Sequence, residues 1–181
     1  LSLQKTKSLD EIKAFASHYP TICMGKMDGL TCALRYVNGE LVAAETRGNG
    51  IIGEDIFNNI MRVANVPKRI DKKGEVCVDG EIICRYNDFE PFAEEYKNPR
   101  NFAAGSIRLL DSDECEKRHL SFVAWDWIDS PFDTLGESLV YLAGLGFTTV
   151  PYWDGIIVGF DDFDIITNFI KNACSIDGFP I

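Results

Sequence analysis

Three absences narrow the reading of this 181-residue chain. No two cysteines form a Cys-x-x-Cys pair, and the only histidines are His18 and His119, so a zinc site is not expected. No apolar run approaches the ~20 residues of a membrane span, and the polar, mixed N-terminal residues do not resemble a signal peptide. A basic balance is also missing. Lys and Arg number 18 against 28 Asp and Glu, for a net charge of −10 and a pI near 4.6. That disfavours a dedicated nucleic-acid module unless Arg47, Arg62, Arg69, Arg100, Arg108 and Arg118 gather on one face. Repeats, low-complexity tracts and linkers are lacking too.

What is present suits a globular core: 46% hydrophobic and 12% aromatic residues, enough for one large domain or two small ones. The six cysteines are Cys23, Cys32, Cys77, Cys84, Cys115 and Cys174. The first four lie in apolar, strand-like runs and read as buried free thiols of a reducing, cytoplasmic setting.

Local signals then order the chain. Ser8-Leu-Asp-Glu11 matches a capping box and predicts a helix over 8–18, broken by Pro20. Residues 30–37 and 40–47 are β-prone and joined by Asn38-Gly39, the signature of a two-residue hairpin. Ile56, Ile60 and Val63 follow at helical spacing, closed by Pro67. A strand is expected over 75–84, helices over 86–97 and 102–110, an aromatic strand over 120–128, helices over 135–145 and 161–173, and a short strand near 148–153. Hairpins mixed with helices predict an α+β fold.

Two glycine-rich stretches compete as the chemical centre. Gly48, Gly50 and Gly53 match GxGxxG, with Asp71 further on. A dinucleotide fingerprint needs a parallel βαβ unit, whereas the strand entering Gly48 is already half of an antiparallel hairpin. These glycines read better as a turn presenting Arg47. The other stretch is Met24-Gly-Lys-Met-Asp-Gly29, at the end of the apolar run Ile22-Cys23-Met24. Its glycines let the backbone approach a ligand, and its lysine is either a candidate covalent nucleophile or a solvated turn residue.

Five stretches taken together resemble the adenylation (nucleotidyltransferase) domain of NAD+-dependent DNA ligases. They are Leu1-Ser-Leu3, Lys26-Met-Asp-Gly29, Thr46-Arg-Gly-Asn-Gly-Ile-Ile-Gly-Glu-Asp55 with Asn59, Val78-Asp-Gly-Glu81, and Asn98-Pro-Arg-Asn-Phe-Ala-Ala-Gly-Ser-Ile-Arg-Leu-Leu-Asp111. The Lys-x-Asp-Gly pattern is shared with ATP-dependent ligases and capping enzymes; the Thr46–Asp55 and Asn98–Asp111 stretches are specific to the NAD+ family. The resemblance implies antiparallel sheets flanked by helices around a nucleotide cleft, as in DNA ligases and mRNA-capping nucleotidyltransferases. It implies that Lys26 accepts AMP from NAD+, assisted by Asp28. Ser2 and Leu3 would line the adenine end, Glu81 the ribose and lysine side, and Arg47 the phosphates. Arg100 and Arg108 would serve phosphate and nicked double-stranded DNA. Trp125 would stack on the base, with Trp127 as the alternative. Mg2+ is implied as a charge-neutralising cofactor, and no protein-held metal site or membrane partner is expected. An ATP-dependent nucleotidyltransferase and a non-catalytic nucleotide-binding module are the rival readings.

The pattern is not kept everywhere. Met24 stands where the family usually has an adenine-reading glutamate, Gly25 where a leucine is common, Asp79 where arginine is frequent and Asn49 where aspartate is common. Residues 1–181 would be an adenylation domain truncated at both ends, with Asp177-Gly-Phe-Pro-Ile181 lying just before the next family motif. Such a stretch alone is not expected to seal nicks.

Overall fold

A computed structural model describes residues 6, 8–16, 20–48, 53–155 and 160–181. Its larger sheet starts from a hairpin, β2 (Leu30–Val37) and β3 (Glu40–Thr46). Asn38 and Gly39 take φ of 51° and 90°, the two positive values a type I′ turn requires. Strands β4 (Glu75–Ile83) and β5 (Ser121–Ile128) complete an antiparallel sheet of order β3-β2-β4-β5. A second, two-stranded sheet pairs β1 (Thr21–Met24) with β6 (Tyr152–Gly155). The mixed antiparallel and helical architecture is the α+β fold expected.

The register assigns each residue to a face, since side chains alternate along a strand. Leu30, Ile82 and Phe122 lie in one cross-strand row, Cys32, Gly80 and Ala124 in the next, Leu34, Val78 and Trp127 in a third. These rows form the apolar face; Leu34, Tyr36, Val76, Val78, Ile82 and Phe122 are fully buried. The residues between them form the other face: Thr31, Glu81 and Val123 in one row, Ala33, Asp79 and Asp126 in the next. There β5 carries a bulge, because Asp79 pairs with Asp126 and Gly80 with Ala124, leaving Trp125 as the extra residue.

The helices are α1 (Leu9–Ala16), α2 (Phe57–Ile60), α3 (Tyr86–Phe89), α4 (Pro99–Ser106), α5 (Ser112–Glu116), α6 (Leu135–Gly144) and α7 (Phe160–Ile176). Several differ from expectation for identifiable reasons. The run behind Gly53 forms only the single turn α2, in which Asn58 and Asn59 are poor helix formers. The Asn59 amide instead donates to the carbonyls of Ile107 and Leu109 at 2.7 and 2.8 Å. The expected helix over 86–97 breaks into α3, a 3-10 turn (Glu90–Phe92) and loose turns, because Pro91 lacks an N–H to continue the ladder. The helix expected over 102–110 begins earlier, at Pro99. Asn98 caps it by accepting from the Asn101 N–H at 2.8 Å, and proline suits the first helical position. Helix α5, capped by Asp111, was not foreseen. Of the strand expected over 148–153, Thr149 makes a parallel bridge to Ala124, while β6 starts at Tyr152.

Helix α6 is fixed by a full capping box between Thr134 and Glu137 and packs on β5. At the end of α7, Phe179 N–H donates to the Cys174 carbonyl at 2.8 Å and Gly178 N–H to that of Ser175 at 3.1 Å, a Schellman closure. The chain end then runs beside the β1–β2 loop. All six thiols are free, but Cys23 and Cys77 are only half-buried, because they sit at an outer sheet and on the polar sheet face. Among the described residues no helix is long and apolar enough to cross a membrane.

Candidate active site

The loop between β1 and β2, residues 25–29, is held in place along its length. Gly25 N–H donates to the Pro151 carbonyl at 3.1 Å and Asp28 N–H to the Pro180 carbonyl at 2.8 Å. Met27 is buried between them at 6% exposure and anchors the loop in the core. That leaves the flanking Lys26 exposed and Asp28 half-buried. The loop closes against β4 at Gly29. A Cβ there would lie 2.1 Å from the Ile82 carbonyl oxygen and 2.9 Å from Glu81 Cγ, so only glycine permits this approach.

Close approach brings the glutamate to the lysine loop. Glu81 accepts from the Gly29 N–H and from Thr31 Oγ1, the latter at 2.9 Å. Burial pushes its carboxyl above the ordinary value; the Thr31 hydrogen bond, the charges of Lys26 and Arg100 and the Gly29 N–H oppose that rise. Arg100, near the start of α4, donates Nη1 to Asp28 Oδ1 at 3.1 Å. Lys26, Asp28, Glu81 and Arg100 thus form one charged group around the loop, although 72 residues separate Asp28 from Arg100.

Arg47 extends this group across the sheet. Its N–H donates to the Thr31 carbonyl at 3.0 Å, continuing the β2–β3 ladder by one residue and placing Arg47 in the row of Thr31 and Glu81. Beside that row, Asp79 and Asp126 stand opposite each other. Burial raises both carboxyls; the Asp126 charge raises Asp79 further, and Arg47 counters it.

The remaining candidates separate. Trp125, at the bulge opposite Asp79, is half-buried against the core. Trp127 is 4% exposed and enclosed by Phe132, Tyr141 and the Lys72 ammonium, so it is the less open of the two rings. Arg108 is not joined to the lysine loop. Its Nε donates to Glu54 and its Nη1 to the Ala104 carbonyl at 2.9 Å. It lines a concavity of about 320 Å³ with Glu54, Asp55, Asn59 and Leu110. A roomier concavity of about 520 Å³ lies at the end of α7 and includes none of these candidates, so enclosure alone does not mark the chemistry. Ser2 and Leu3 lie outside the described residues, as do Asn49 and Gly50. Three participants were not foreseen: Thr31, Asp126 and Glu54. The acidic Asp126 between two tryptophans in an apolar strand was a visible signal; Thr31 depended on register and Glu54 on the long-range approach of Arg108.

An antiparallel sheet with a Lys-x-Asp-Gly loop at one end and a glutamate of its central strand against that loop has the make-up of a nucleotidyltransferase domain. The chain belongs to the NAD-dependent DNA ligase adenylation domain family, whose model matches residues 1–173. Among similar proteins, a DNA ligase of Lachnoclostridium phytofermentans is 42% identical over 161 residues, covering 83% of this chain and 25% of that protein. A DNA ligase of a Sulfurovum species is 37% identical, covering 80% and 24% respectively. A DNA ligase of Helicobacter pylori is 38% identical, covering 74% and 22%. The chain thus spans about a quarter of the length of these relatives.

Proposed function

We propose that this chain is the adenylation module of an NAD+-dependent DNA ligase and that Lys26 is its AMP acceptor. The observation that carries the reading is the meeting of Lys26, Asp28, Glu81 and Arg100 around one Gly29-closed loop. The neutral amine of Lys26 attacks the adenylyl phosphorus of NAD+. A P–N bond forms, the P–O bond to nicotinamide mononucleotide breaks, and the amine proton passes to solvent or a nearby carboxylate. Asp28 positions the amine, Glu81 meets the ribose side, and Arg47 and Arg100 pair with phosphate oxygens, for which the planar guanidinium is suited. Trp125 supplies an apolar surface for the base. AMP then passes to the 5′-phosphate of nicked double-stranded DNA, and the 3′-hydroxyl displaces it to seal the nick, a reaction of DNA replication and repair. Arg108, beside its own concavity, is assigned to the DNA strand.

Among the described residues no group of three or more His, Cys, Asp or Glu side chains could hold a metal ion. Mg2+ is kept as an ion carried by the nucleotide's phosphates, where it offsets their charge. The free thiols suit a cytoplasmic setting.

The test is intact-mass analysis of the complete polypeptide after incubation with NAD+ and Mg2+. An AMP adduct is expected, absent in Lys26→Ala and absent when ATP replaces NAD+. Adduct formation from ATP in preference to NAD+ would assign the chain to the ATP-dependent class. Nick sealing unaffected by Lys26→Ala would mark it as a non-catalytic module.

A further inference from the structure

Glu81 is a half-buried carboxylate on a sheet whose opposite face is apolar, and such a group needs hydrogen bonds to stay charged and ordered. Its donors come from the neighbouring strand and the lysine loop. Thr31 is its direct cross-strand partner in the β2–β4 register, and Thr31 Oγ1 lies 2.9 Å from Glu81 Oε2. The Gly29 N–H supplies a second bond from the loop itself. On the other side Glu81 pairs with Val123 of β5, which offers no donor side chain. The charged or titratable groups around it are Lys26 and Asp28 from the loop, Arg100 from α4 and Arg47 in its row beyond Thr31, with Asp79 two residues along its own strand and the buried Cys32 thiol of β2 next to Thr31.

We propose that Thr31 is a positioning residue for the adenylation step, its hydroxyl holding the Glu81 carboxylate in one orientation against the Lys26 loop. The inference rests on the reading of Lys26 as AMP acceptor. The Thr31 hydroxyl donates to Glu81 and in this role acts through that carboxylate. A hydrogen bond to the charged form of a carboxylate favours that form. Losing the hydroxyl therefore moves protonation of Glu81 to higher pH and frees its side-chain torsions.

The test is the single-turnover rate of Lys26 adenylation by NAD+ in the complete polypeptide, followed across a pH series. Thr31→Val keeps the shape and removes the donor. It is expected to slow the step about tenfold at neutral pH, as fits a lost hydrogen bond to a charged group. The acidic limb of its profile should move to higher pH. Thr31→Ser restores the donor and should recover both rate and limb. Thr31→Val placed on Glu81→Gln should add no further slowing. A Thr31→Val profile that superimposes on wild type overturns the inference while leaving Lys26 in its role, and so does equal slowing of the wild-type and Glu81→Gln proteins. A wild-type protein that forms no adduct from NAD+ overturns the reading of Lys26 and this inference with it. Side-chain carbon NMR of Glu81 reads the hold directly: its titration should move to higher pH in Thr31→Val and not in Thr31→Ser, and an unmoved titration overturns the hold whatever the rates do.

Discussion

The two faces of the four-stranded sheet are built from the same strands and differ by one residue of phase. On one face, Leu34, Tyr36, Val76, Val78, Ile82 and Phe122 lose all contact with water. On the other, Thr31, Asp79, Glu81 and Asp126 keep polar groups at half burial, where each charge is costly unless a donor or a counter-charge is present. The first face supplies the stability. The second is less stable than an apolar surface would be, and that is where the lysine loop lands.

The comparison can be broken most severely from the apolar side. Leu34→Ala should lower unfolding free energy by about 2–5 kcal/mol through lost burial and a cavity, measured by denaturant titration. Ala33→Ser, one residue away on the half-buried face, should change it by less than about 0.5 kcal/mol. Equal costs would mean the faces are not distinct.

Gly29→Ala attacks the seam between the faces. Its Cβ would fall 2.1 Å from the Ile82 carbonyl oxygen, so loop and strand must part. A loss of about 1–3 kcal/mol is expected, with adenylation reduced far more than stability alone explains. Unaltered adenylation would show that the Gly29–Glu81 contact is not needed.

Asp126→Asn is the gentlest probe and the one with a pH signature. Burial raises this carboxyl above its ordinary value of 3.8. The folded chain therefore holds the proton to higher pH than the unfolded chain does. The protonated form's stabilising contribution is complete below the unfolded value and is lost as pH rises through the folded one. At neutral pH the buried charge is a cost, which asparagine removes. The variant should melt higher than wild type at pH 7, with the gain shrinking as pH falls toward 4; a gain independent of pH would point to packing instead.

Much of this was legible before folding. The Asn38-Gly39 turn, the strands over 30–37, 40–47 and 75–84 and the helix over 135–145 are local signals, decided within a few residues. The meeting of Asp28 with Arg100 was not legible from spacing. It depends on Asn98 and Pro99 starting α4 early, which carries Arg100 onto the helix's first turn. Likewise, nothing local distinguishes Trp125 from Trp127. The bulge at Asp79 and Asp126 leaves one half-buried and seals the other against Phe132 and Tyr141.

The sequence by itself determined the strands of the four-stranded sheet, the hairpin, the glycine-flanked lysine and the family to which the chain belongs, because periodicity, turn chemistry and motif spacing are properties of neighbouring residues. The tertiary structure alone decided which strand residue faces Glu81, which arginine reaches the lysine loop and which tryptophan stays open. Those outcomes depend on cross-strand register and helix start points, and long-range packing sets both.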